Sequence, residues 1–282
     1  MVLCLVIAGC DSQTGGEEQP SVSEVTPAPV PPTATTPPPP PTLAPGVTAA
    51  GISNFSALKR AHLAVLENTS YTYRSRTVVR FPNGTIDSNW TSKWKAGANR
   101  TYRRARRRGT PPWRPAQSQP PRIEWYYTDE RALIARTLAN GTTVYGSIRS
   151  APEDGPLWRR PREEIATATF DFVVPNATRV RNRSGTNGTE VYRLGAGTIS
   201  ESEVFRRHGT PPRNGSLRLS VTARGLIERA RWRYTVTTDS GVLTVSTSIR
   251  YSKVGTTSVS RPAWYEEAIA ATATNESLRT YR

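Results

Sequence analysis

The sequence predicts an α+β fold: a long curved antiparallel β-sheet of roughly nine to eleven strands, with an N-terminal helix, a mid-chain helix and a short C-terminal helix. Three observations carry this prediction. Apolar residues recur at helical spacing over 55–67, and strict alternation takes over from Tyr71. Asn-Gly steps at Asn83, Asn140 and Asn187 punctuate alternating runs; both residues tolerate positive φ, which makes the pair a strong hairpin signal. Cys4 and Cys10, the only cysteines, both lie in the first ten residues, so the body must be held by its core without a disulfide. About 230 residues suffice for such a core.

The elements follow in order. Phe55 to Glu67 reads as an amphipathic helix, with Leu58, Ala61, Val65 and Leu66 on one stripe and Lys59 and Arg60 opposite. Ser53 or Ser56 is the expected cap, with Phe55 as a hydrophobic staple. From Tyr71 to Phe81, Tyr71, Tyr73, Val79 and Phe81 share a face, and Arg74, Arg76 and Arg80 share the other, as in a half-buried strand. Further strands are expected at 86–95, where Trp90 and Trp94 alternate, and at 100–107, 123–128, 133–138 and 142–149. A Pro-rich loop covers 109–121. Pro161 to Phe170 has Pro, Glu163 and Glu164 at its front, which suits a helix N-terminus. Strands at 178–183, 190–194, 216–223, 226–238 and 242–254 come next, then a helix over 262–271 with Glu266 and Glu267 near its start.

The chain divides into three parts. Residues 1–10 read as a signal-peptide remnant. Val2 to Ala8 is apolar, and Ile7-Ala8-Gly9-Cys10 resembles a lipobox, a motif cut before the cysteine whose sulfur then carries lipid. The positive n-region of a full signal is missing, which places the expected start further upstream. Residues 11–51 hold no Lys or Arg and carry eleven of the 24 prolines, so they read as a disordered Pro/Thr-rich tether. Forty residues of polyproline-II chain would reach on the order of 100 Å. Residues 52–282 form the expected single domain.

All eleven asparagines sit in N-x-S/T sequons: Asn54, Asn68, Asn83, Asn89, Asn99, Asn140, Asn176, Asn182, Asn187, Asn214 and Asn275. Chance would give this on the order of once in ten million or more rarely. The sequons are N-glycosylation candidates, and they point to an exported, extracellular surface protein.

The formal net charge is +16, and the four tether acids leave the body at +20. Only four of the 38 basic residues are Lys (Lys59, Lys93, Lys95 and Lys253). Arg103, Arg104, Arg106, Arg107 and Arg108 are the densest cluster and the expected basic patch. Anionic headgroups, acidic envelope glycan or a surface-layer protein are the expected counterparts. No nucleic-acid-binding signature is present, and nucleic acid is not an expected partner. Arg106-Arg107-Arg108-Gly109-Thr110-Pro111-Pro112 recurs as Arg206-Arg207-His208-Gly209-Thr210-Pro211-Pro212, a shared loop motif and not a solenoid repeat.

No catalytic, metal or cofactor site is expected. His62 belongs to the first helix, and His208 sits alone in a Pro-rich loop. Asp129-Glu130 and Glu163-Glu164 are adjacent acids, which fit turn and helix-start roles better than acid/base pairing. No nucleophile elbow, P-loop or H-E-x-x-H occurs. The tryptophans, Trp90, Trp94, Trp125, Trp158, Trp232 and Trp264 among them, are expected to pack on sheet faces.

The chain resembles the haloarchaeal cell-surface lipoproteins whose domain is similar to the LolA/LppX half-barrel. The resemblance is carried by the lipobox, by Ala57-Leu58-Lys59-Arg60-Ala61-His62 followed by Tyr71-Thr72-Tyr73, by Val191-Tyr192-Arg193-Leu194, by Gly225-Leu226-Ile227, and by Arg261-Pro262-Ala263-Trp264-Tyr265-Glu266-Glu267-Ala268. It implies a half-barrel that holds a lipid or lipidated partner on an apolar concave face under a helix. The functional expectation is a membrane-anchored, glycosylated, non-enzymatic binding protein for an apolar or lipid-like ligand. The alternative is an adhesion component of the envelope that docks acidic glycan or surface-layer protein through its basic face.

Overall fold

The computed structural model describes residues 41–108, 121–149, 157–170, 179–186, 189–197, 213–238 and 241–273. Cys10, residues 11–40 of the expected tether, the loop after Arg108, most of both Gly-Thr-Pro-Pro motifs, His208, Asn176, Asn187 and Asn275 lie outside the described residues.

Residues 41–51 belong to the domain and not to the tether. Strands β1 (Thr42–Ala44), β2 (Val47–Thr48) and β3 (Gly51–Ile52) form a small antiparallel sheet, and Ala44, Val47 and Ile52 join the core. The expected boundary at 51 thus moves back to about Pro40. Averaged composition hides these few apolar side chains. At Gly46 the chain turns with φ +73°, and an added Cβ would meet the Asn54 carbonyl oxygen at 2.0 Å.

Helix α1 (Phe55–Glu67) has the bounds the periodicity predicts. Its cap is Asn54, not Ser53 or Ser56. Asn54 is extended, and its Oδ1 accepts the Ala57 N–H at 2.9 Å. The buried positions are Leu58, His62 and Leu66, one per turn.

The main sheet has eleven antiparallel strands. One run goes outward from β4 (Tyr71–Arg80) through β5 (Ile86–Ala96), β6 (Thr101–Arg108), β7 (Arg122–Tyr127) and β8 (Arg131–Thr137) to β9 (Thr143–Arg149). The chain then crosses over through helix α2 (Arg160–Ala168). The second run starts at the far edge with β10 (Arg179–Thr186) and returns through β11 (Thr189–Ala196), β12 (Arg213–Thr222) and β13 (Ile227–Thr238) to β14 (Gly241–Ser252). There β14 pairs with β4, so the two runs meet at the centre; β9 and β10 are edges and the sheet is open. Helix α3 (Tyr265–Ala273) ends the described chain.

The pleat sorts side chains between two faces. One face carries Tyr73, Trp94, Trp232 and Tyr251 and is covered by α1 and α2. There the ring of His62 meets Phe170 and Tyr251 edge-on, each at 5.2 Å, and Tyr251 also contacts Tyr71 and Tyr73. The Tyr251 hydroxyl donates to the Ile165 carbonyl of α2 at 3.1 Å. On the opposite face, α3 packs over β8 and β9, with Tyr265 edge-on to Tyr126 at 5.6 Å.

Two buried polar groups fix the helices. His62 Nδ1 accepts the Ile227 N–H at 3.1 Å, next to an irregularity in the β12–β13 ladder. Arg162 of α2 donates to the carbonyls of Gly97 (2.9 Å), Leu66 (2.8 Å), Glu67 (3.0 Å) and Thr69 (2.7 Å). It therefore satisfies the last carbonyls of α1 and ties them to the β5–β6 turn. Arg162→Met should cost about 3 kcal/mol in urea unfolding, because buried acceptors lose their donor. Hydrogen exchange should speed up first at the C-terminal turn of α1, and unchanged exchange there would refute the capping role.

Burial of His62 lowers its pKa from 6.5 to about 3. A base held neutral in the fold binds fewer protons than the unfolded chain, so stability falls as pH drops from about 6.5 toward 3. At pH 4 this one group should cost roughly 3 kcal/mol relative to pH 7. His62→Gln should start less stable at pH 7 and lose less on going to pH 4 than the native protein. Parallel pH profiles of urea midpoints would contradict this assignment.

Candidate functional site: the open basic face

On the face away from α1 and α2, the register builds a lattice of cations. Arg229, Arg250, Arg74, Lys93 and Arg104 stand directly opposite one another on the five adjacent strands β13, β14, β4, β5 and β6. Glu124 of β7 follows Arg104; in the other direction come Ser220 and then Arg193. Two residues along the strands, a second row carries Arg218, Arg231, Arg76, Arg106 and Arg122, with Ser248 and Thr91 interleaved. Arg74, Arg76, Arg229, Arg231 and Arg250 are exposed, while Lys93 and Arg104 are half-buried. The rows border a groove of about 440 Å³.

Like charges directly opposite on a sheet destabilise it. Lys93 feels this: some burial, and then the charges of Arg74, Lys95, Lys253 and Arg104, lower its pKa. At the β7 end the field is neutralised by Glu124, which is buried and accepts from the Arg122 Nε at 2.5 Å, from the Tyr102 hydroxyl, and from the Trp264 Nε1 at 3.1 Å. Burial alone would raise its pKa; the hydrogen bonds from Tyr102, Trp264 and Arg122 and the Arg122 charge outweigh burial and lower it. Arg104 Nε lies 3.4 Å from the same carboxylate. Glu124 therefore anchors the start of α3 and closes one end of the cation row.

The cluster expected from sequence as one basic patch is split by the pleat. Arg104 and Arg106 join the open face. Arg103 points to the other side, with its guanidinium 4.4 Å from the ring centres of both Trp94 and Trp125. Arg107 and Arg108 pair by backbone with Trp90 and Asn89. Sequence reasoning places Arg74, Arg76 and Arg80 on a polar face but does not single out Lys93, Arg229, Arg231 or Arg250. The alternation Arg229-Ala230-Arg231-Trp232-Arg233 is the signal that could have found three cations of one face.

Among the described sequons, Asn54, Asn68, Asn83, Asn99, Asn140 and Asn214 are exposed at helix ends, turns or the start of a strand. Asn89 differs from these: it lies within β5, half-buried, opposite Val78 and Arg108 on the open face. Asn182 falls within β10. No helix among the described residues is long and apolar enough to cross a membrane. No group of three His, Cys, Asp or Glu residues suited to a metal is found among them.

The helix-covered face is largely apolar, and around β4 and β14 it is filled by the Tyr71, Tyr73, Tyr251, His62 and Phe170 cluster. A cavity of about 690 Å³ opens beside this cluster, between the end of α1, the start of β4 and α2. Leu63, Leu66, Tyr71, Trp158, Arg162 and Ala166 line it.

No protein-family profile matches the chain, and no curated protein matches it in sequence. Several solved structures show a distant likeness, these three among them. A DUF1329 family protein from Desulfovibrio piger is 11% identical, with 76% of this chain and 97% of that chain covered and a TM-score of 0.26. MucB in complex with MucA is 9% identical, with 77% and 97% covered and a TM-score of 0.15. The MucA/MucB complex of Pseudomonas aeruginosa is 11% identical, with 76% and 96% covered and a TM-score of 0.14. At these scores the residues of the open face, and not the likenesses, carry the functional reading.

Glu124→Gln removes the charge and keeps the shape. It should destabilise the domain by about 1–2 kcal/mol, because half-buried donors lose a charged acceptor. Hydrogen exchange over Tyr265–Ala273 should then rise toward that of an undocked helix. Retained protection of α3 would show that Glu124 is not its anchor.

Proposed function

We propose that this chain is an exported, lipid-anchored, non-enzymatic binding protein that docks a polyanion on its open sheet face. The observation that carries the reading is the unbroken row Arg229–Arg250–Arg74–Lys93–Arg104. Arg104 has the Glu124 carboxylate beside it, but a fold gains nothing from Arg229, Arg250, Arg74 and Lys93 repelling one another in register; an anionic partner turns the same repulsion into affinity. The sequons, the lipobox at Cys10 and the Pro/Thr-rich stretch support a place on the outer side of a membrane, among acidic envelope material.

A fourfold variant, Arg74→Ser, Arg76→Ser, Arg229→Ser and Arg250→Ser, separates binding from folding. Retention on isolated envelopes or immobilised polyuronate should fall by on the order of a hundredfold, and native retention should weaken steeply with salt. The variant should unfold at the same or a higher urea midpoint, by up to about 1 kcal/mol, since opposed like charges are gone. Undiminished retention would overturn the reading.

A second reading rests on the cavity beside α2, whose size falls in the range of small-ligand sites. Organic extraction of purified protein followed by mass spectrometry should then release an apolar compound. Leu63→Trp, which fills the cavity, should abolish its recovery; if no compound is recovered from native protein, this second reading fails.

A further inference from the structure

The open face also constrains the kind of polyanion. This inference rests on the polyanion-docking reading and refines it.

Charge density on the face is anisotropic. Neighbouring strands lie about 4.8 Å apart, so the five-cation row offers one charge at that spacing over roughly 19 Å. Along a strand, side chains return to the same face only every ~6.8 Å. Arg229, Arg231 and Arg233 of β13 show that wider step, and Arg74 and Arg76 of β4 repeat it. The best path for a linear polyanion therefore runs across the strands. A sugar residue advances a polysaccharide by about the distance of one strand, so a chain with one acidic group per sugar can meet one cation at every strand.

The face chemistry favours sugar over the alternatives. Thr91, Ser246 and Ser248, all half-buried, are interleaved with the cations, and hydroxyls suit a hydroxylated partner. Trp94, Trp125 and Trp232 point to the other face, and the aromatics at the row's end, Tyr102 and Trp264, are held by Glu124; between Arg229 and Lys93 the row lacks the stacking platforms that single-stranded nucleic acid uses. An anionic membrane surface would be matched by cations beside inserted apolar groups, and the row carries none. Guanidinium groups add a forked donor geometry that fits carboxylate and sulfate.

The row also ends. At β7 the Glu124 carboxylate takes the next register position, and Trp264 of the segment leading into α3 binds it. At β12 the position is Ser220, with Arg193 one strand beyond. We propose that the row Arg229–Arg250–Arg74–Lys93–Arg104 is a binding site for a linear acidic polysaccharide bearing one carboxylate or sulfate per sugar, lying across the strands and occupying about five sugars.

Calorimetry of the full chain with oligogalacturonates of increasing length tests this. Affinity should climb with each added uronate to about the fifth and then rise only statistically. Lys93→Ser within the row should weaken the pentamer by about tenfold and leave the dimer little changed; Arg213→Ser, on the same face but outside both rows, should leave both unchanged. Affinity that keeps climbing with length far past the row, or equal affinity for polyphosphate of matched charge, would overturn the sugar-matched site and leave polyanion docking intact. Preferred binding to vesicles rich in anionic phospholipid would do the same and point to a membrane surface. Absence of binding to every polyanion would overturn both readings.

Discussion

The pairing of β4 with β14 is the contact on which the rest of the molecule depends. It joins the two runs of the sheet across a separation of some 170 residues, as the Thr77–Thr247 hydroxyl pair at 2.9 Å shows. A slip of one residue would send Tyr73 and Val79 to solvent and Arg74 and Arg76 into the core. The aromatic cluster around Tyr251 makes that slip prohibitive. Tyr251 faces Tyr73 in the ladder, touches His62 of α1 and donates to α2. The same register that fills the core thus lines up Arg250 with Arg74 on the other face. The cation row is a consequence of core packing seen from behind.

Around that central pair, three buried polar groups hold the pieces that hydrophobic burial alone would leave free to slide. His62 ties α1 to the irregular start of β13. Arg162 ties α2 to the end of α1 and to the β5–β6 turn. Glu124 ties the segment before α3 to β7. His62 and Arg162 give directional bonds to backbone groups that would otherwise be buried unpaired, at a penalty of about 1–3 kcal/mol apiece by the usual scale, and Glu124 does so for half-buried donors. Their placement also divides labour between the faces. His62 and Arg162 close the helix-covered face, while Glu124 ends the charged one. The result is a sheet with one face committed to packing and the other, beyond the part that α3 covers at β8 and β9, left to solvent and charge.

Much of this was legible in the chain. The bounds of α1 follow from period 3.6, and most strand limits fall within a residue or two of those read from alternation and Asn-Gly turns. These signals are local, and a strand with one buried face must alternate wherever it sits in the sheet. Errors arose where neighbours outside the local window decide. Asn54 caps α1 because its N–H, bonded to the Gly46 carbonyl in the β1–β2 turn, holds it in place before the helix. Residues 41–51 fold because Ala44, Val47 and Ile52 find a core already built. The arginines at 103–108 are contiguous in sequence, but contiguity along a strand is not spatial clustering, and the pleat divides them between the two faces.

By itself, the sequence determined the strands, the helices and which residues of each strand are polar, because backbone pleat and helix pitch act within a few residues. It also determined the excess of positive charge and the eleven sequons. Only the tertiary structure decided strand order and register, and these decided which cations become neighbours. Arg229, Arg250, Arg74, Lys93 and Arg104 come from five strands spread over more than half the chain, and no local rule brings them together. Long-range pairing does so, because register is set by the summed packing of the opposite face and not by the charges themselves.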